Sequence, residues 1–256
     1  GAVSVAASGG DLTLTRGNIT SETGVDLRAS GAATLNRLTA LTRNGGVNIT
    51  AANGLINLFN SNISAPGDIQ VQSLAGGVTL NGSVFNSSNG SIRATAGNGN
   101  IQSHILRYTA AQDIVLQANN GQLILGTGGG DTLSAGGNIA LGASGVVDLT
   151  NTILSSTGES VSVTSGTGAL SMTGGNVTAA KDISLSGNSV TTNGGLLNAG
   201  NDIRLAAGGG GIRVDNGGSL VSANGNITLD GTSGASAAGV YLNGTAGSKV
   251  NISAVN

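Results

Sequence analysis

A valine or isoleucine opens a V-x-V or I-x-L pair about every 22 residues along this chain, and that period limits what the chain can fold into. The openings fall at Val3, Val25, Val47, Ile69, Ile92, Ile114, Ile139, Val161, Ile183, Ile203, Ile227 and Val250, and the residue two further on is usually aliphatic too. Repetition at this spacing marks a solenoid, in which each unit is too small to bury its apolar face alone and does so against its neighbours.

Each period carries two more apolar beats. A second recurs at Leu12, Ala33, Ile56, Val78, Ile101, Leu123, Val147, Leu170, Val190, Ile212 and, after an insertion, Val240. A third comes near Ile19, Leu38, Ile63, Val84, Ile105, Leu133, Ile153, Val177, Leu197 and Leu220. Between beats the chain is mainly Gly, Asn, Ser, Thr and Ala, residues that tolerate positive φ or bond back to nearby backbone. Three short strands and three turns per period describe a rung of a parallel β-helix, and the period predicts about 11–12 rungs. A helix would need apolar residues at i, i+3, i+4 and i+7 over a long run, and no such run exists. The rhythm is unbroken by any linker, so residues 1–256 read as one β-helical domain. It starts and stops in mid-rhythm, as expected of a segment cut from a longer repeat protein.

Charge excludes several functions. Only 9% of residues are charged, the formal net charge is −2, and the ten basic residues are scattered. A nucleic-acid binder needs them clustered. No apolar stretch approaches the ~18 residues of a membrane span. The chain has no cysteine, which suits export without disulfides. Ahead of many first strands stands an acid or amide, at Asp68, Asp113, Asn138, Asp182, Asp202 and Asn226. Stacked carboxylates would bind cations, but Asn substitutes freely here, so the row reads as turn chemistry and no metal site is assigned.

Glycosidases and lyases on β-helices need convergent carboxylates, whereas the twelve acids here mostly fall one per rung. No catalytic residue or cofactor is assigned, and the chain is expected not to be an enzyme. The densest polar and aromatic neighbourhood lies around the single histidine, His104, with Arg93, Gln102, Arg107 and Tyr108 near it. Arg93, His104 and Tyr108 are the candidate binding residues, since these types stack on or hydrogen-bond a sugar. Gly128-Gly129-Gly130-Asp131 occurs once and reads as a loop insertion rather than a calcium-binding repeat.

Segments such as Gly67-Asp68-Ile69-Gln70-Val71, Lys181-Asp182-Ile183-Ser184-Leu185, Asn201-Asp202-Ile203-Arg204-Leu205 and Gly225-Asn226-Ile227-Thr228-Leu229 resemble the filamentous haemagglutinin repeats of bacterial two-partner secretion exoproteins. These are adhesins and contact-dependent growth inhibition proteins. The resemblance covers essentially the whole chain. It implies a right-handed parallel β-helix, export through an outer-membrane partner transporter, and display at the bacterial cell surface, where a host or neighbouring-cell receptor or glycan is met. The expected role is a stalk segment giving reach, with weak surface contact at most. The rival reading is a polysaccharide-binding or polysaccharide-degrading β-helix protein.

Overall fold

The computed structural model describes residues 1–232, 239–244 and 249–255. Every strand pairing is parallel, and the period seen in sequence is the stacking register. Val3 pairs with Val25, Val25 with Val47, Val47 with Ile69, Ile69 with Ile92 and Ile92 with Ile114. The row continues through Ile139, Val161, Ile183, Ile203 and Ile227. Second strands stack likewise, from Leu12 on Ala33 to Ile212 on Val240. Among the described residues third strands form an 11-stranded sheet of their own, one strand for each rung. Eleven rungs at ~4.8 Å per step make a stack about 50 Å long.

The alternation within each strand decides what is inside. Ile183 and Leu205 are fully buried, as are Ile69, Ile92, Ile114 and most of their row, and one continuous apolar core runs along the axis. The end rungs are half-covered: Val5, Leu14 and Ile19 at one end and Ile227 and Leu229 at the other pack against the core from one side only. In two rungs the first and second strands fuse across their corner, as Ile183–Asn193 and Ile203–Asp215.

The corner between second and third strands explains where the third beat departs from expectation. One residue there adopts the left-handed conformation in rung after rung: Arg16, Arg37, Asn60, Gly82, Ile105, Asn151 and Gly174 all have positive φ. That turn advances the inward phase by one position. Val84, Ile105 and Ile153, expected inside, are therefore 39%, 48% and 43% exposed, and Phe85, Leu106 and Leu154 fill the core in their place. Tyr108 moves the other way. Expected to project outward, it is fully buried and packs edge-on against Phe85 with ring centroids 4.5 Å apart.

Eleven rungs among the described residues agree with the expected 11–12, and the twelfth opening, Val250, does not begin a new one. The strand Asn251–Ala254, which follows Val250, pairs with Ser219–Ser222 in the third-strand sheet and so completes the rung opened by Ile227. The insertion expected before Val240 falls in residues 233–238, outside the described residues.

Turns are fastened by short polar side chains. Ser87 and Ser222, inward at the ends of third strands, accept the N–H groups of Gly90 and Gly225 and donate to the carbonyls of Gly67 and Asn201 in the preceding rung. The acid and amide row is turn chemistry of an inter-rung kind. Asp68 accepts the N–H of Ser91 at 2.8 Å, Asp113 that of Asn138 at 2.8 Å, Asp182 that of Asp202 at 3.1 Å and Asp202 that of Asn226 at 2.7 Å. Each carboxylate caps the equivalent position one rung on, because stacking brings that N–H closer than its own turn does.

Candidate functional site

The twelve acids of the chain all have structural engagements. Glu22, Asp26, Glu159, Asp215 and Asp230 pair with Arg43, Arg28, Lys181, Arg213 and Arg204. Asp11, Asp68, Asp113, Asp182 and Asp202 cap backbone N–H groups of the next rung. Asp148 accepts from Thr150, and Asp131 is buried. Among the described residues no three His, Cys, Asp or Glu side chains converge as metal ligands, and no helix is long and apolar enough to cross a membrane.

The three candidate binding residues are not brought together. Arg93 is exposed on the first-strand face, in register with Gln70 and Val115. His104 is exposed on the second-strand face, at the end of Ile101–His104, in register with Asn81. Tyr108 points into the core. The corner at residues 97–100 separates the faces carrying Arg93 and His104, and the backbone separates His104 from the Tyr108 side chain.

What surrounds His104 instead is a notch of about 470 Å³, lined by Thr79, Asn81, Gln102, His104, Ile124 and Thr127 and by the backbone of Ser103. It exists because the next rung is longer. In most rungs a residue pair such as Arg37 and Leu38 spans the corner, but after Leu123–Leu125 residues 126–131 bulge outward before the third strand begins. Pairing between the two rungs stops at Gln102 with Ile124. The loop then passes over His104, so closely that a β-carbon on Gly128 would fall on the imidazole.

Asp131 anchors the bulge from inside. It is 1% exposed, and its carboxylate accepts from Leu106 N–H at 2.7 Å, Gly126 N–H at 2.8 Å and the Ser103 hydroxyl. These groups face the interrupted ladder, so the side chain satisfies backbone donors beside it. Burial, reinforced by the negative charge of Asp131, pushes the Tyr108 phenol above the ordinary tyrosine range. The Tyr108 hydroxyl finds no hydrogen-bond partner among the described residues.

No family model matches this chain, and no curated protein or solved structure does. The sequence signal for the notch was the glycine run, legible as an insertion. The inward turn of Asp131, and the pairing of Asn81 with His104 across rungs, depend on a register that spacing fixes only approximately.

Proposed function

We propose that this chain is a stalk segment of a secreted, cell-surface bacterial exoprotein of the adhesin or growth-inhibition type, exported through an outer-membrane partner transporter, and that it is not an enzyme. The observation that carries the reading is that the core columns run through every rung while all twelve acids are engaged in ion pairs, backbone caps, burial or, at Asp148, a hydrogen bond from Thr150. A β-helical hydrolase or lyase needs carboxylates free to exchange protons or hold a metal at one place on the surface. A rod whose polar groups fasten one rung to the next is suited to spanning distance. The repeat segments that resemble filamentous haemagglutinin all sit at the openings of first strands.

Antibodies raised against the segment test this reading. On intact cells of the source bacterium they should label the surface, and the label should disappear when the partner transporter is removed. Purely intracellular labelling overturns the reading. So does turnover of a polysaccharide that is lost on replacing one Asp or Glu. The notch at His104 is the one feature that favours a second reading, polysaccharide binding, as an addition to the stalk role.

A further inference from the structure

We propose that the notch beside His104 binds a neutral, hydroxyl-rich oligosaccharide lying along the solenoid axis, a proposal that deepens the surface-contact part of the stalk reading and rests on it.

The notch departs from the repeat where the repeat could have closed more simply. A left-handed residue and one inward residue turn this corner in the neighbouring rungs, as Ile105 with Leu106 and Asn151 with Thr152. Here a loop is raised over the face and held by a buried carboxylate, which is costly to desolvate and must collect several hydrogen bonds to be tolerated. Asp131 fixes both ends of the bulge, accepting from Gly126 at its start while forming its last residue. The wall of the notch is therefore set before any ligand arrives, which lowers the ordering cost of binding.

Its chemistry selects the ligand. No side chain lining the notch carries a charge, apart from the imidazole when protonated. An anionic sugar would lose its hydration without gaining a cation, since Arg93 is on another face. Sugar hydroxyls are donors and acceptors at once, and so are the groups offered: the Asn81 and Gln102 amides and the Thr79 and Thr127 hydroxyls. Ile124 and the flat His104 ring supply apolar surface for the C–H face of a pyranose. Thr79, Gln102 and Ile124 stack on successive strands, as do Asn81 and His104. A ligand along the axis thus meets a new row at every ~4.8 Å step.

His104 is the chain's only histidine, so its imidazole resonances report on the notch alone. The full chain is titrated with mannohexaose, cellohexaose, xylohexaose and galactohexaose, and with a polygalacturonate hexamer and a heparin hexasaccharide for contrast. At least one neutral hexaose should shift the His104 ring signals saturably, with a dissociation constant of about 1 mM or tighter. Gln102→Ala, at an exposed position, should weaken it about tenfold. Gly128→Ala, which pushes the ring aside, should abolish it, and Arg93→Ala should leave it unchanged. A His104 signal that stays still for every neutral hexaose up to about 10 mM, or anionic hexamers that bind as tightly, overturns the proposal. Binding unaffected by Gln102→Ala in a variant that melts like the parent does so too. If the His104 signals stay silent while surface labelling persists, only the notch is lost. If they respond in a protein found inside the cell, the stalk reading is lost instead.

Discussion

At Tyr108 the phenol occupies an inward column between Phe85 and Leu133, and its hydroxyl is buried without a partner among the described residues. An unsatisfied buried hydroxyl costs about 1–3 kcal/mol, so Tyr108→Phe should melt no lower than the parent at neutral pH and is expected to melt higher. Its pH dependence has a definite sign. The folded phenol titrates above its ordinary value because burial and Asp131 disfavour the anion. As pH rises past about 10 the unfolded chain gives up this proton first, so stability present in full below that value falls above it. Chemical denaturation at neutral and alkaline pH should show that fall in the parent and a smaller one in Tyr108→Phe. Asp131→Ala strands the N–H groups of Leu106 and Gly126 in the core and should cost about 2–5 kcal/mol. The adjacent pair Ile183 and Asp182 tests register: Ile183→Asp buries a carboxylate and should cost several kcal/mol. Asp182→Ala removes one exposed cap on Asp202 and should cost about 1 kcal/mol. Reversal of that order in thermal melts would put the wrong side chain inside.

The corner between second and third strands is the element that sets the inward phase of the third strand. Its left-handed position is held by Gly82 and Gly174 in some rungs and by Arg37 and Ile105 in others. A side chain at such a φ costs roughly 1–2 kcal/mol against glycine, partly offset by the freedom glycine gains in the unfolded chain. Arg37→Gly should therefore raise stability by about 0.5–1 kcal/mol, and Gly82→Ala should lower it by about 1–2 kcal/mol, both read from denaturant midpoints. Equal losses in the two variants would mean that side-chain contacts, not backbone conformation, govern this corner.

Among the described residues every strand pairing joins adjacent rungs, so the number of rungs should be adjustable in whole units. Residues 47–68 form one period, from Val47 to the residue before its partner Ile69. Their deletion should leave a folded protein whose long dimension in small-angle scattering falls by about 4.8 Å. Deleting residues 47–57 alone throws first strands against second strands and should abolish cooperative melting. Circular dichroism of the parent should be β-type without a helical component.

The sequence by itself determined the period, the parallel stacking and nearly every inward residue of the first and second strands. A V-x-V pair bounded by Gly or Asn has one way to bury its side chains, and identical neighbours have one register in which to stack. It determined also that Gly128–Asp131 is an insertion. The tertiary structure decided part of the third strand: Ile63, Leu133, Val177, Leu197 and Leu220 are buried as their spacing predicts, whereas Val84, Ile105 and Ile153 are not. A left-handed residue can be Arg, Asn, Ile or Gly, so the sequence does not announce the phase change that turns Ile105 out and Tyr108 in. The notch likewise is made by side chains a full rung apart, Asn81 with His104 and Ser103 with Asp131. The proximity of Asn81 to His104 follows from the stacking register and that of Ser103 to Asp131 from where the ladder breaks, and both are properties of two rungs together.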